Sequence, residues 1–363
     1  VRTHANYSWH REALLRTLGV SENADAVEAA MAERNAAEVE ADVVRNGGVA
    51  AAVRTPAQWR AHPQGLAVAG QPLIGSTSAD GAPPRPGDPS GLPADPAGLP
   101  AGPAGLPAAG LRVLDLTRVI AGPVATRYLA ALGADVLRVD PPHRPELPMA
   151  RYDGLPGKRS ALLDARTPDG LRRLHELLDG ADIVVHGYRP GALASFGLDP
   201  DALAERHPGL VSVCLSAWGQ DGPWRERRGF DSIVQAACGI AMAESADGEA
   251  PGRLPCQLLD HGCGYLAAAA ALEGVRRQRE AGGTHFFHLS LAAVGAWLIT
   301  QPRPAPTPEP AEPPPAEPRA EWVATLTSDA GPVTMIIPPG RIDGRALAWP
   351  ARLATYGEHP PAW

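Results

Sequence analysis

Two aspartates stand at the start of helix-like segments, where a carboxylate could carry chemistry. Asp231 lies in R-R-G-F-D-S and Asp260 in Q-L-L-D-H-G-C-G-Y. An unperturbed aspartate is ionised at neutral pH and can attack an activated carbonyl. An aspartate at a helix start more commonly caps the helix, so both roles stay open for each residue. Gly262 and Gly264 would let a bulky ligand approach Asp260, and His261 is either a base or a satisfied polar histidine.

Three further segments carry groups suited to a phosphorylated ligand. G-K-R-S (157–160), followed by Arg166, could hold phosphate oxygens through charge-assisted hydrogen bonds, or could form a solvated surface. H-G-Y-R-P-G (186–191) offers a ring for stacking and a cation, or is a turn with an exposed arginine. T-R-V-I-A-G-P (117–123) leads into a helix whose N-terminus could receive an anion, or is a tight turn.

Composition narrows the classes of function. The chain has 363 residues, a formal net charge of −7 and no block of basic residues, so we expect no nucleic-acid partner. The alanine-rich run 266–272 is too short to cross a membrane, and we expect neither export nor a membrane partner. The four cysteines form no C-x-x-C pair, which predicts reduced thiols, no metal site and a cytoplasmic protein.

Buried-strand and helix patterns alternate through the middle of the chain. Strands are predicted at 112–116, 134–140, 160–164, 181–186 and 210–215, with helices between them. This alternation predicts an α/β fold, a Rossmann-like parallel sheet with covering helices. A ligand of such a sheet should lie beyond the carboxyl ends of its strands.

The flanking regions have different patterns. Residues 1–75 predict a small α-rich N-terminal module, and the repeated G-L-P of 76–110 predicts a linker without a core. Residues 111–301 form the predicted large domain. The proline-rich run 302–319 predicts a second linker, and 320–363 predicts a C-terminal hairpin with a tail.

Six segments in this order resemble the large domain of the class III CoA-transferase family, which includes formyl-CoA and carnitine CoA-transferases and α-methylacyl-CoA racemases. They are V-L-D-L-T-R-V-I-A-G-P (113–123), L-G-A-D-V-L-R-V-D-P-P (132–142), G-K-R-S-A-L-L-D-A-R-T-P-D-G (157–170), A-D-I-V-V-H-G-Y-R-P-G-A-L (181–193), S-A-W-G-Q-D-G-P-W (216–224) and G-F-D-S-I-V-Q-A (229–236). The resemblance spans about half of the chain.

The resemblance implies a role for particular residues. The family's nucleophilic aspartate falls on Asp260. Its coenzyme A (CoA) contacts fall on four loops: Ile120 and Ala121; Leu163, Asp164, Ala165 and Arg166; Gly187, Tyr188 and Arg189; and Arg228, Gly229, Phe230 and Asp231.

The resemblance also implies an activity. CoA would pass from an acyl-CoA to a carboxylic acid acceptor through an aspartyl anhydride and an aspartyl-CoA thioester, without ATP. No cofactor would be bound permanently, since CoA and acyl-CoA are substrates. The resemblance further implies a homodimer.

The chain also departs from the family pattern. The racemases need a histidine where this chain has Phe230, so racemisation is disfavoured unless His261 substitutes. Residues 36–63 resemble the later part of the family's small domain but precede the large domain, which suggests a rearranged or trimmed member. A catalytically weak or inactive CoA-binding paralogue, with Asp260 as a helix cap, is the alternative.

Overall fold

The computed structural model describes residues 1–85, 105–302 and 319–363. The helices are α1 (Ser8–Leu18), α2 (Ala24–Ala32), α3 (Ala36–Arg45), α4 (Pro56–Ala61), α5 (Pro63–Ala69), α6 (Ala121–Ala131), α7 (Pro148–Gly154), α8 (Pro168–Asp179), α9 (Pro200–Arg206), α10 (Asp231–Ala237), α11 (Ile240–Ala243), α12 (Leu258–Ala281) and α13 (Leu291–Thr300). The strands are β1 (Arg2–Thr3), β2 (Ala50–Ala51), β3 (Gly75–Ala79), β4 (Arg112–Leu116), β5 (Asp135–Asp140), β6 (Lys158–Leu162), β7 (Ile183–His186), β8 (Val211–Ser216), β9 (Thr284–Ser290), β10 (Val323–Ser328), β11 (Gly331–Ile336), β12 (Arg341–Ile342) and β13 (Arg345–Ala346).

A seven-stranded sheet forms the centre of the molecule, in the order β3-β9-β8-β7-β4-β5-β6. Strands β4 to β9 are parallel, and β3 joins the edge antiparallel to β9. Counted along the chain, the six parallel strands run 3-2-1-4-5-6, which is the doubly wound order. The predicted α/β fold is therefore confirmed, although β3 and β9 were missed. The two halves of the sheet diverge between β4 and β7.

The long helix α12 covers one face of the sheet. It packs against β8, β9 and α6, and its buried side includes many alanines. Gly264 allows close contact with α6, because a Cβ atom there would lie 2.6 Å from the Ala121 carbonyl oxygen. The register of α12 against α6 is thus set by small residues, and it fixes where the first turn of α12 lies.

The N-terminal helices share a core with the sheet. Trp59 and Val68 belong to the same buried cluster as β4 and β8. The buried amide of Gln64 donates to the Trp218 and Asp221 carbonyl oxygens, and its oxygen accepts from the Trp224 amide. A capping box joining Thr55 and Gln58 begins α4. The α-rich segment is therefore attached to the loop that follows β8.

The predicted linker 76–110 is structured at both described ends. Strand β3 occupies Gly75–Ala79 because its backbone pairs with the otherwise open edge of β9. Ala108 is fully buried and its amide donates to the Leu132 carbonyl oxygen. Residues 86–104 of this linker, and 303–318 of the predicted linker 302–319, lie outside the described residues.

The C-terminal residues form the predicted hairpin and then return to the sheet. Strands β10 and β11 are antiparallel and joined by a tight turn. Beyond them, the His359 amide donates to the Ser160 carbonyl oxygen, and the Trp363 indole donates to that of Leu177. In the described parts of the chain, no helix has the length and apolarity needed to cross a bilayer.

Candidate active site

A cavity of about 450 Å³ opens beyond the carboxyl ends of the parallel strands. Its walls come from the loops after β4, β5, β6 and β7, from the end of β8, and from the first turns of α12 and α13. Parallel strands bring residues that are distant in sequence to one edge, and a cavity forms where the two halves of the sheet diverge. This is the position predicted for a ligand.

The cavity brings together all but one of the residues that the resemblance selected. They are Asp260, Ile120, Ala121, Leu163, Asp164, Ala165, Arg166, Gly187, Tyr188, Arg189, Arg228, Gly229 and Phe230. Asp231 is the exception, since it lies behind the cavity wall and is 1% exposed. Arg166 is held by Asp164 through two hydrogen bonds from its guanidinium, at 2.9 and 2.8 Å.

Asp260 lies in the first turn of α12, and its side chain lines the cavity while the residue is 7% exposed. Burial, followed by repulsion from Asp231, raises the pKa of Asp260 well above its ordinary value. The unperturbed pKa assumed from the sequence therefore does not hold for Asp260. Its place at a helix N-terminus favours the ionised form and opposes part of this effect.

Asp231 supports the start of α12 from another helix. Its Oδ2 accepts the Asp260 backbone N–H at 3.0 Å, and its Oδ1 accepts a hydrogen bond from Gln235 Nε2. Neither aspartate caps its own helix through its side chain. Capping of each helix by its own aspartate was thus a wrong expectation, because Asp231 satisfies the α12 amide instead. The Asp260 carboxylate is left facing the cavity.

Arginines with no carboxylate partner in the described residues surround the cavity. Arg144, Arg189 and Arg228 line it, and the charges of Arg189 and Arg144 lower the pKa of Arg228, after the larger effect of burial. A bound anion would offset this mutual repulsion. The cluster matches a ligand that carries several phosphate charges. Arg144, which follows β5, was missed by the sequence analysis.

The N-terminal segment contributes an aromatic wall that was also missed. Tyr7, Trp9 and His10 line the cavity. Arg144 lies over the Trp9 ring, 4.5 Å from its centroid, and Arg118 lies over the Tyr7 ring at 4.9 Å. The aromatic and histidine residues of N-Y-S-W-H (6–10) were the feature of the sequence that could have indicated this wall. Only the packing of the folded chain shows that three of them line the cavity.

A strained loop separates this wall from β4. Val119 has a φ of 69°, which is rare for a β-branched residue. Its amide donates to Glu146 Oε2 at 2.8 Å, and the Tyr7 hydroxyl donates to Glu146 Oε1 at 2.6 Å. Burial alone would raise the pKa of Glu146, but the bonds and charges of Tyr7 and Arg138 outweigh it and lower that pKa. Glu146 therefore holds the loop beside the cavity.

G-K-R-S neither contacts the cavity nor forms a solvated surface. Lys158 is buried, and its Nζ donates to Asp115 Oδ2 at 2.8 Å and to Thr126 Oγ1 at 2.6 Å. Arg159 pairs with Asp135 and donates to the Ala362 carbonyl oxygen at 2.7 Å. Both cations pair with carboxylates inside the fold, so the expectation that they hold a phosphate is wrong.

The neighbours of Asp260 on α12 also lie outside the cavity wall. Neither Gly262 nor Gly264 lines the cavity, and the space beside Gly264 is taken by α6, so room for a ligand there was a wrong expectation. His261 likewise does not line the cavity, and the charged groups that affect it most are Arg127 and Asp153. His261 therefore cannot replace the histidine that the racemases have at the position of Phe230.

The comparison with known families decides the assignment. The model of CoA-transferase family III matches residues 108–327, which is more than half of the chain. This protein belongs to CoA-transferase family III. The matched region includes the whole parallel sheet and every cavity-lining residue except those of the N-terminal segment.

Several known proteins and solved structures are similar to this chain. It is 31% identical over 226 residues to a probable fatty acyl-CoA transferase, Rv3272, of Mycobacterium tuberculosis, covering 55% of this chain and 57% of the relative. It is 33% identical over 185 residues to the succinyl-CoA–D-citramalate CoA-transferase of Chloroflexus aurantiacus, covering 47% and 46%. A crystal structure of Rv3272 aligns with a TM-score of 0.49 at 33% identity over 55% of this chain and 58% of that one. The chain spans about half the length of these relatives.

Proposed function

We propose that this protein transfers CoA between an acyl-CoA thioester and a carboxylic acid, with Asp260 as the nucleophile. The observation that carries the proposal is that one cavity holds both a buried carboxylate and arginines without carboxylate partners in the described residues. The carboxylate suits acyl transfer, and the arginines suit the phosphates of CoA. Membership of family III supports the same reaction class.

The reaction would proceed through alternating anhydride and thioester intermediates. A carboxylate oxygen of Asp260 attacks the thioester carbonyl carbon, the carbon–sulfur bond breaks and CoA thiolate leaves, which gives a mixed anhydride. The thiolate then attacks the aspartyl carbonyl carbon and releases the first acid as its carboxylate. The acceptor carboxylate attacks the aspartyl carbonyl carbon of this thioester, the carbon–sulfur bond breaks and CoA thiolate leaves, which gives a second mixed anhydride. The thiolate then attacks the acyl carbon of the acceptor, which forms the new acyl-CoA and releases Asp260 as its carboxylate.

The position of Asp260 suits this sequence of steps. Each intermediate is an activated acyl group attached to one side chain, so the side chain must be fixed while the ligand exchanges around it. The hydrogen bond from the Asp260 amide to Asp231 anchors the backbone at 3.0 Å. Binding energy from phosphates held by the arginines can then be used to press the thioester against the carboxylate.

The raised pKa of Asp260 has a direct consequence for the first step. Only the ionised carboxylate attacks, so the rate of anhydride formation should increase with pH until Asp260 is fully ionised. A carboxylate with a raised pKa is also a more basic nucleophile once ionised. Racemisation is not favoured, because the phenyl ring of Phe230 carries no exchangeable proton and His261 lies outside the cavity wall.

Trapping of the covalent intermediate tests the proposal. The protein is incubated with a panel of acyl-CoAs and quenched with hydroxylamine or borohydride, and the peptide that contains Asp260 is examined by mass spectrometry. We expect a hydroxamate or an alcohol at Asp260, and none in Asp260→Asn. Absence of an adduct across the panel, with CoA binding intact, would instead support the inactive CoA-binding paralogue.

A further inference from the structure

His10 is a buried histidine in the cavity wall, and one of its ring nitrogens lacks a hydrogen-bond partner in the described residues. It belongs to α1, lines the cavity and is 5% exposed. Its Nδ1 is buried and has no hydrogen-bond partner among residues 1–85, 105–302 and 319–363. An unpartnered buried polar atom costs free energy, so a ligand that supplies a partner gains from it.

The ring of His10 is fixed by its aromatic neighbours. It meets the Phe230 ring edge-on with 5.8 Å between centroids, and it makes similar contacts with Tyr7 and Trp9. His4 stacks on Phe230 at 3.6 Å but does not line the cavity. Packing therefore holds the His10 ring at the cavity wall. His4, whose Nδ1 likewise lacks a partner in the described part of the chain, packs on the same phenylalanine but does not line the cavity.

Burial and the positive charges around His10 keep its ring neutral. Burial lowers the pKa of His10 to about 4, with smaller effects, in decreasing order, from the charges of Arg228, His4, Arg144 and Arg118. A neutral imidazole recognises an uncharged hydrogen-bonding group, whereas a carboxylate or phosphate would be better served by the neighbouring arginines. The group that meets His10 should therefore be an uncharged polar one.

His10 is close to groups from both parts of the proposed site. The positive charges of Arg228 and Arg144 act on its ring, and the ring meets that of Phe230, which precedes Asp231, the partner of the Asp260 amide. A CoA thioester with its phosphates at the arginines and its carbonyl at Asp260 would lie along the cavity wall that includes His10. The part of CoA between its phosphates and its thioester is the pantetheine arm, which is uncharged and carries amide groups.

From these contacts we infer that His10 binds the pantetheine arm of CoA through a hydrogen bond between its imidazole and an amide of that arm. The inference rests on the proposed function. It assigns to the N-terminal segment a part of the substrate site that the large domain does not supply.

Comparing two ligands tests whether His10 contacts the pantetheine arm or affects binding of the whole nucleotide. CoA carries the arm, whereas adenosine 3′,5′-bisphosphate carries phosphates and adenine without it. His10→Phe keeps the ring packing and removes the hydrogen bond, so the Kd for CoA should increase about tenfold. The Kd for the bisphosphate should stay within about twofold. Both are measured by calorimetry on the full chain.

Two variants serve as controls. His10→Asn places a polar atom near the position of Nδ1 and should keep the Kd for CoA within about threefold of the unmodified protein. His4→Phe preserves the stack on Phe230 and should leave both ligands unaffected. If His10→Phe does not fold, ¹⁵N spectra of the histidine rings in the unmodified protein should show a shift of the His10 signal with CoA and none with the bisphosphate.

Several results would overturn the inference. These are an equal loss of both ligands in His10→Phe, no loss of either, an effect of His4→Phe as large as that of His10→Phe, or a His10 ring signal that does not respond to CoA. If the unmodified protein binds neither CoA nor the bisphosphate, the proposed function itself fails, which is a different outcome.

Discussion

Asp231 Oδ2 lies 3.0 Å from the backbone nitrogen of Asp260 and accepts its N–H. One contact therefore has two effects on the candidate nucleophile. It fixes the first turn of α12, and it brings a second carboxylate close enough to raise the pKa of Asp260, in addition to the effect of burial. Asp231 thus affects both the position and the pKa of the candidate nucleophile.

Asp260→Asn should abolish CoA exchange while CoA binding persists. An amide cannot form the anhydride, and we expect a loss of at least about 100-fold in kcat. Exchange between labelled acid and acyl-CoA measures the rate, and calorimetry measures binding. Residual exchange near the normal rate would rule out Asp260 as the nucleophile.

The same variant should be more stable near neutral pH. The pKa of Asp260 is raised in the folded protein above its value in the unfolded chain, so the folded state binds the proton more tightly. Its stabilising contribution is present at low pH and is lost as the pH rises through the raised pKa. We expect the Tm of Asp260→Asn to exceed that of the unmodified protein at pH 7, with a smaller difference at pH 4. The opposite order would contradict the assigned direction.

Asp231→Asn should move the acid limb of the pH–rate profile to lower pH. The asparagine oxygen can still accept the Asp260 N–H, but the negative charge that raises the pKa of Asp260 is gone. The ionised, reactive form of Asp260 then appears at lower pH. The measurement is kcat against pH. A limb that stays in place or moves to higher pH would show that Asp231 does not act through its charge.

Replacement of the cavity arginines should weaken CoA binding. Removing one charge-assisted hydrogen bond to phosphate in Arg144→Ala, Arg189→Ala or Arg228→Ala should increase the Kd for CoA about 10- to 100-fold. Arg172→Ala is the matched control, since Arg172 is exposed on α8 and pairs with Glu176. Binding should also weaken as salt concentration increases. If the control and all three variants bind CoA with equal affinity, these arginines do not contact the phosphates of CoA.

Gly264→Ala and Gly262→Ala should differ sharply, although the two glycines are two residues apart. A Cβ atom at Gly264 would lie 2.6 Å from the Ala121 carbonyl oxygen and 2.8 Å from Val124 Cβ. At Gly262 the nearest atom, Val294 Cγ1, is 3.6 Å away. Overpacking should cost Gly264→Ala about 1–3 kcal/mol, seen in chemical denaturation, while Gly262→Ala folds normally. Similar stabilities would mean that α12 and α6 are less closely packed.

Lys158→Met should destabilise the fold rather than weaken ligand binding. Burial is the main reason that the pKa of Lys158 is lowered, to about 8, and the lysine is the cationic partner of buried Asp115. Its removal leaves that carboxylate unpaired, at a cost of about 3–5 kcal/mol. Arg276→Met, at an exposed pair on α12, should cost less than about 1 kcal/mol. If Lys158→Met instead lost CoA affinity without losing stability, Lys158 would contribute to CoA binding.

The strand and helix alternation could be predicted because buried parallel strands are short apolar runs, as in β4 and β7. Strand β3 could not, since G-S-T-S-A has no apolar pattern and pairs only because the edge of β9 is open to it. The N-terminal segment was predicted to be helical, but its placement beside Phe230 depends on packing across more than 200 residues of chain.

The sequence by itself determined the α/β fold class with a Rossmann-like parallel sheet and, by resemblance, selected the aspartate and the loops that line the cavity. Local patterns carry that information, because propensity and periodicity act over a few residues. Only the tertiary structure decided that Lys158 forms a buried ion pair with Asp115, that Asp231 accepts the Asp260 N–H at the start of α12, and that His10 lines the cavity. Those outcomes depend on burial and on charges brought together from distant segments, and no short stretch of sequence encodes a distance between them.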